Sequence, residues 1–221
     1  MQNDETTFAE LRNRMVSCQL IQAGIYDKRV LDSMLFIPRH KFVPPEQIYL
    51  AYEDRPLAIG EGQTISQPFI VAYMTQVLEL KGTEKVLEIG SGSGYQTALL
   101  AMLAKEVYSI ELHSNLAVSA RKRLEEMKFT NFHILLGDGY GGWPQYAPYD
   151  AVIVTAAPPE LPLAVIEQLA LYGRMVVPVG EITQDLWLIQ NLPGGVQYDK
   201  LIPVIFVPMV PKEQYYQNPS Q

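Results

Sequence analysis

Residues 86–95 read Val-Leu-Glu-Ile-Gly-Ser-Gly-Ser-Gly-Tyr, a run that few folds can accommodate. A short apolar strand ends at Ile89, glycines follow at 90, 92 and 94, and an apolar helical stretch, Ala98 to Ala104, comes next. Strand, glycine turn and helix in that order let a backbone approach a nucleotide-like ligand without Cβ collisions. The dinucleotide fingerprint requires glycine at the first, third and sixth turn positions. The sixth position here is Tyr95, so that fingerprint fails.

Glu88, two residues before the first glycine, selects among the ligands that remain. A carboxylate sits poorly beside a pyrophosphate and well beside a cation, and S-adenosylmethionine carries both a sulfonium and an ammonium. Glu88, Gly90, Ser91, Gly92 and Gly94 are therefore read as a methyl-donor loop. A glycine-rich turn without a ligand is the alternative.

From residue 69 onward helices and strands alternate. The pattern predicts helices over 69–80, 115–127 and 162–171, and strands over 85–89, 107–110, 132–136, 151–155 and 174–179. Two further strands, near 186–190 and 204–207, read as an antiparallel edge pair joined through Pro193-Gly194-Gly195. The expected fold is α/β, a doubly wound, mostly parallel seven-stranded sheet with an N-terminal helical extension. Residues 5–37 form that extension, broken at Gly24 and ended by Pro38. Residues 38–68 are rich in proline and glycine, and so long a connection is usually functional. The chain is expected to be one methyltransferase domain: 5–68 on the substrate side, 69–210 as cofactor core and 211–221 as a polar tail.

In such a sheet the ligand lies across the carboxyl ends of the strands at the switch point. Glu111, at the end of the second core strand, can accept both ribose hydroxyls of a cofactor. Asp138, at the third, can accept an adenine amino hydrogen, and Gly139 lets the backbone pass close to the ring. Thr155 follows the fourth strand at the same edge. Either acid could instead cap the element that follows it.

Charge and composition narrow the partners. A net charge of −7 and a pI near 5.0 disfavour a phosphate backbone as partner. The one dense basic cluster, Arg121-Lys122-Arg123, reads as a solvated helix face beside Glu125 and Glu126. The longest apolar run, Leu201 to Val210, is interrupted by Pro203 and Pro208, so no membrane span is expected. The acidic N-terminus is unlike a secretory signal. The single cysteine, Cys18, suits a reducing cytoplasm and is expected to pack on a helix face. His40, His113 and His133 show no metal-ligand spacing, and no metal is expected.

The zone before the loop is more specific. Ala51-Tyr52-Glu53-Asp54-Arg55-Pro56-Leu57 and Gly62-Gln63-Thr64-Ile65-Ser66-Gln67-Pro68 closely resemble the corresponding region of protein-L-isoaspartate O-methyltransferases. The same is true of Pro38-Arg39-His40-Lys41-Phe42-Val43-Pro44, Gly137-Asp138-Gly139-Tyr140, Val154-Thr155-Ala156-Ala157-Pro158 and Phe206-Val207-Pro208-Met209. The likeness runs from about residue 9 to 210. It implies the Rossmann-like methyltransferase fold and methyl transfer from S-adenosylmethionine to the free α-carboxylate of L-isoaspartyl residues, which starts their repair. S-adenosylhomocysteine is the product. It also implies a cytosolic chain without metal, acting on damaged proteins and peptides and not on nucleic acid or membrane; a monomer is expected.

Within that resemblance Ser66 matches the serine assigned to the family's active site, where its hydroxyl would orient carboxylate or cofactor. Ser66 could also act as N-cap of the helix that follows. Gln63, Thr64 and Ile65 are expected to line the cofactor with their backbone. An α-carboxylate, which ordinarily titrates near about 3.5, is ionised at neutral pH, so no general base is required. Two departures stand out. Ile205 replaces a frequent arginine, and Ala170-Leu171-Tyr172-Gly173 replaces the usual Lys-Pro-Gly-Gly. The first leaves the C-terminal contact to substrate open. Tyr215 and Tyr216, in the polar tail, are candidates to cover the site.

Three other readings share the loop. A small-molecule O-methyltransferase would need a base or metal to ionise a hydroxyl. A nucleic-acid amino-methyltransferase would carry an Asn or Asp-Pro-Pro-aromatic turn where this chain has Ala156-Ala157-Pro158-Pro159-Glu160. A non-catalytic sensor of the methyl donor would not need the Gly-Gln-Thr-Ile-Ser element.

Overall fold

A computed structural model describes residues 2–212. Helix α1 (Gln2–Arg14) runs into a π-helical segment (Met15–Leu20), and α2 (Lys28–Phe36) follows. The wider π turn sends Met15, Val16 and Leu20 inward and leaves Cys18 exposed, so the expected packing role of the cysteine is not met. Asp27 caps α2 by accepting from the amides of Arg29 and Val30. Short 3-10 turns (Arg39–Phe42 and Pro45–Leu50) lead to a hairpin of β1 (Leu57–Gly60) and β2 (Gln63–Ile65).

The core begins with α3 (Pro68–Val77) and continues through β3 (Lys85–Ile89), α4 (Tyr95–Leu103), β4 (Glu106–Glu111), α5 (Ser114–Glu126) and β5 (Phe132–Leu136). β6 (Tyr149–Val154), α6 (Leu163–Ile166), β7 (Leu169–Val179), β8 (Gln184–Leu192) and β9 (Gly195–Val204) complete it. The seven-stranded sheet has the order β5-β4-β3-β6-β7-β8-β9. β3 pairs in parallel with both β4 and β6, while β7-β8 and β8-β9 are antiparallel. The chain winds outward from β3 in one direction and resumes at β6 in the other, which places the switch point between these two strands.

Strand alternation divides the core. Val86, Val107, Ile134 and Ile153 face α3, α4, α5 and the N-terminal helices. Leu87, Ile89, Ile110, Val152 and Val154 face the opposite layer, where short α6 and a ring cluster around Tyr108 supply the cover. Tyr108 stacks with both Tyr146 and His133, with centroids 4.4 and 4.7 Å away.

Two expected elements differ. The helix over 162–171 stops at Ile166 because Leu169 pairs with Tyr149 and Asn191 Nδ2 binds the carbonyls of Leu169 and Ala170. Sheet pairing here overrides the local apolar pattern. The strand placed near 204–207 instead ends at Val204, after pairing with β8 through the hairpin at Gly195. Beyond it the chain leaves the sheet and bonds to Ala157, whose amide donates to the Val207 carbonyl at 2.8 Å. Tyr215 and Tyr216 lie outside the described residues. No helix among the described residues is long and apolar enough to cross a membrane.

Candidate active site

The loop after β3 is built around positive φ angles: Gly90 at 94°, Gly92 at 51° and Gly94 at 89°. The three glycines do different work. A Cβ on Gly90 would overlap the Thr155 hydroxyl, which is itself fixed by donating to the carbonyls of Ile89 and Gly90. Gly94 stays out of the cavity wall and lets α4 start against Ala120 of α5, where a Cβ would come within 3.1 Å. Its role here is close helix packing.

Glu111 organises the loop. Its Oε2 accepts from the Gly92 amide at 2.7 Å and from the Ser91 hydroxyl at 3.4 Å, while Oε1 accepts from the His113 amide at 3.0 Å. Both oxygens are engaged, yet the side chain still lines the cavity. That cavity, about 940 Å³ and open to solvent, takes its wall from Gly90, Ser91, Gly92, Glu111, Gly137, Gly139 and Thr155. Gln63, Thr64, Ile65 and Ser66 close it from the hairpin side. The hairpin turn is anchored over the loop by Glu61, which accepts from Asn115 Nδ2 at 2.6 Å.

Glu88 differs from the expectation. Strand alternation turns its side chain away from the cavity and under α4, where it is fully buried. Its Oε2 accepts from Thr97 and Ser109 hydroxyls, each at 2.6 Å, and Oε1 has no partner among the described residues. Burial lifts its carboxyl to about 7; Glu111 adds in the same direction and the two hydroxyls oppose. Asp138 also lies outside the wall that its neighbours Gly137 and Gly139 form. Its oxygens accept from the amides of Tyr140 (2.8 Å) and Lys212 (2.9 Å).

Ser66 stands at a junction. It lines the loop cavity and also a second one of about 1050 Å³, walled by Pro56, Gln67, Ile70, Pro203, Ile205 and Val207. Its hydroxyl makes no hydrogen bond to any described residue, and α3 takes Gln67 as its N-cap position. Asp54 does the capping instead, accepting from the Phe69 amide at 2.9 Å. The helix-cap reading of Ser66 therefore does not hold.

Reading the residues in order missed the segment Phe206–Val210, which crosses the strand ends to line the loop cavity. Its signal was the apolar run interrupted by Pro203 and Pro208. His113, beside Glu111, was missed as well. Among the described residues no cluster of three His, Cys, Asp or Glu side chains could hold a metal.

The cradle fits a nucleoside: glycine-walled at Gly90 and Gly139, where a Cβ would overlap Thr155 or Ile89, with Glu111 at its side. Gly90→Ala combines that overlap with an unfavourable φ and is expected to weaken S-adenosylhomocysteine binding by about tenfold or more. Calorimetric affinity equal to wild type would remove the close-approach argument.

The family model for Protein-L-isoaspartate(D-aspartate) O-methyltransferase (PCMT) matches residues 11–214. A protein-L-isoaspartate O-methyltransferase of Gloeobacter violaceus is 51% identical over 197 residues, covering 88% of this chain and 96% of that protein. A solved protein-L-isoaspartate O-methyltransferase superposes with a TM-score of 0.83 at 26% identity, covering 93% of this chain and 69% of that one. A Plasmodium falciparum beta-aspartate methyltransferase (PCMT), solved with S-adenosyl-L-homocysteine, gives 0.78 at 26% identity over 90% and 98% of the two chains.

Proposed function

This chain belongs to the protein-L-isoaspartate O-methyltransferase family, and from that premise we propose which of its residues serve each part of the reaction. The reaction transfers a methyl group from S-adenosylmethionine to the free α-carboxylate of L-isoaspartyl residues in damaged proteins and peptides, initiating their repair. When bound, S-adenosylmethionine supplies that methyl from a sulfonium.

Glu111 would accept the ribose hydroxyls. Its Oε1 holds only the His113 amide and keeps a lone pair. Its Oε2 would exchange its long Ser91 contact of 3.4 Å for a ribose hydroxyl while keeping the Gly92 amide. Gly90, Ser91, Gly92, Gly139 and Thr155 form the close walls, and the backbone of Gln63, Thr64 and Ile65 closes them. Asp138 stands outside the wall that Gly137 and Gly139 form, and its free lone pairs would serve an adenine amino hydrogen where the ring extends past these glycines. Glu88 supports the loop from behind by tying α4 to β4. Gly94 packs α4 on α5.

Ser66 serves the acceptor side. The observation that carries this is its unpartnered hydroxyl on the wall common to both cavities. A carboxylate entering through the second cavity is already ionised, so the protein needs to orient it and exclude water, not deprotonate it. The mostly apolar wall of Pro56, Ile70, Pro203, Ile205 and Val207 favours that exclusion. Ile205, 97% exposed, occupies the lip without offering a charge to the substrate.

The described residues are read as one methyltransferase domain, and the chain as a monomer. A cytoplasmic setting agrees with the exposed free Cys18. The acidic charge disfavours nucleic acid, and peptides are the partners.

Ser66→Ala is expected to lower kcat by about tenfold or more while cofactor affinity stays near wild type. Wild-type turnover in a folded variant would refute the assignment. The reaction itself is tested with radiolabelled S-adenosylmethionine and two peptides that differ only in one L-isoaspartyl or L-aspartyl linkage. Base-labile label should appear on the isoaspartyl peptide alone. Donor binding without label on either peptide would overturn the acceptor assignment.

A further inference from the structure

Arg39 is fully buried, yet among the described residues no carboxylate accepts a hydrogen bond from it. Its Nε donates to the Ala51 carbonyl at 2.8 Å and its Nη2 to the Ser66 carbonyl at 2.7 Å. The guanidinium lies 5.0 Å from the ring centre of Tyr95, itself a cavity-lining residue. Nη1 has no hydrogen-bond partner among the described residues. Burial lowers its pKa to about 10, so the group remains charged at neutral pH. A buried cation matched by two carbonyls and a tyrosine ring, with no carboxylate bonded to it, is a costly way to stabilise a fold. A rigid fork is, however, well suited to holding two carbonyls from distant segments at a set angle.

The segment that carries Arg39 is itself braced. His40 Nδ1 lies 2.7 Å from the Tyr52 hydroxyl and stacks on Phe8 with centroids 4.2 Å apart. Just beyond Ser66 along the chain, exposed Asp54 accepts from Gln67 Nε2 at 2.8 Å and from the Phe69 amide at 2.9 Å. The residue between these two grips is Ser66, whose hydroxyl has no hydrogen-bond partner among the described residues.

We propose that Arg39 and Asp54 are positioning residues that clamp the chain around Ser66, Arg39 at the Ser66 carbonyl and Asp54 at the Gln67 side chain and the Phe69 amide, so that the Ser66 hydroxyl is held at the junction of the two cavities. This rests on the reading of Ser66 as the acceptor-side residue. Neither residue lines a cavity. Both act through Ser66, and the clamp fixes orientation without contacting the reacting groups.

A double-mutant cycle on the full chain tests it. Arg39→Lys keeps the charge and loses the fork; Asp54→Ala removes an exposed side chain and carries the same cycle if Arg39→Lys fails to fold. With an isoaspartyl peptide and S-adenosylmethionine both saturating, each single variant is expected to lower kcat by about three- to tenfold, and by less than about twofold when added to Ser66→Ala. The Kd for S-adenosylhomocysteine should stay within about twofold of wild type. Equal losses in both backgrounds would overturn the clamp while leaving Ser66 in place. Wild-type kcat in Ser66→Ala would overturn both readings. A raised cofactor Kd with unchanged kcat would reduce Arg39 to a structural residue and refute the proposal.

Discussion

Glu111→Ala is expected to raise the Kd for S-adenosylhomocysteine by about 100-fold, because it removes charge-assisted bonds worth roughly 1.5–3 kcal/mol each. The carboxylate joins β4 to the loop after β3 through the Gly92 amide and to the start of α5 through the His113 amide. Truncation would therefore leave these amides in a cavity wall without an acceptor as well as removing the ribose partner. Glu111→Gln offers a finer test. Its amide nitrogen is a donor and would face one of the two backbone donors, so one brace must fail. The amide variant should lose about tenfold, between wild type and alanine. Isothermal calorimetry with S-adenosylhomocysteine reads both. An unchanged Kd in the alanine variant would exclude Glu111 from the binding surface.

Glu88 makes the second large prediction, on stability and pH. The folded protein holds a proton on this carboxyl up to about pH 7, while an unfolded chain releases it near 4.5. Between those values the native state binds more protons, so stability is full below the lower pH and is lost as pH rises to the upper one. The loss amounts to roughly 3 kcal/mol across that window. Glu88→Gln imitates the protonated acid: its oxygen can accept from Thr97 and Ser109, and its nitrogen takes the unpartnered position. At pH 8 the variant should melt about 5–10 °C above wild type, with the difference vanishing near pH 4.5. Melting curves that stay parallel from pH 4.5 to 8 would contradict this account.

Much of the architecture was readable along the chain because it depends on local patterns. Strands β3 and β5 fall where their apolar runs predict them, and glycines at 90, 92 and 94 mark the turn. Alternation of helices and strands required a doubly wound sheet, and its switch point then brought residues 90–92, 111 and 155 together. The misplacements share a cause. Residues 169–171 and 205–207 are apolar runs whose conformation depends on partners far away in sequence: Tyr149 and Asn191 for the first, Ala157 for the second. Local periodicity does not record a partner.

The roles within the site follow the same division. Residue type and spacing alone determined that a glycine turn lies between a strand and a helix, that acids stand at the strand ends, and that Ser66 belongs to a distinctive element. Tertiary structure decided which way each side chain points. The pleat turned Glu88 under α4 while its neighbour Ile89 lines the cavity. Helix packing claimed Gly94. Asp54, from another segment, caps α3 and leaves the Ser66 hydroxyl without a partner among the described residues. A motif specifies which chemical groups are present, because that information is covalent. Which of them meet, and which are spent on holding the others, depends on contacts between residues tens of positions apart, and those exist only once the chain has folded.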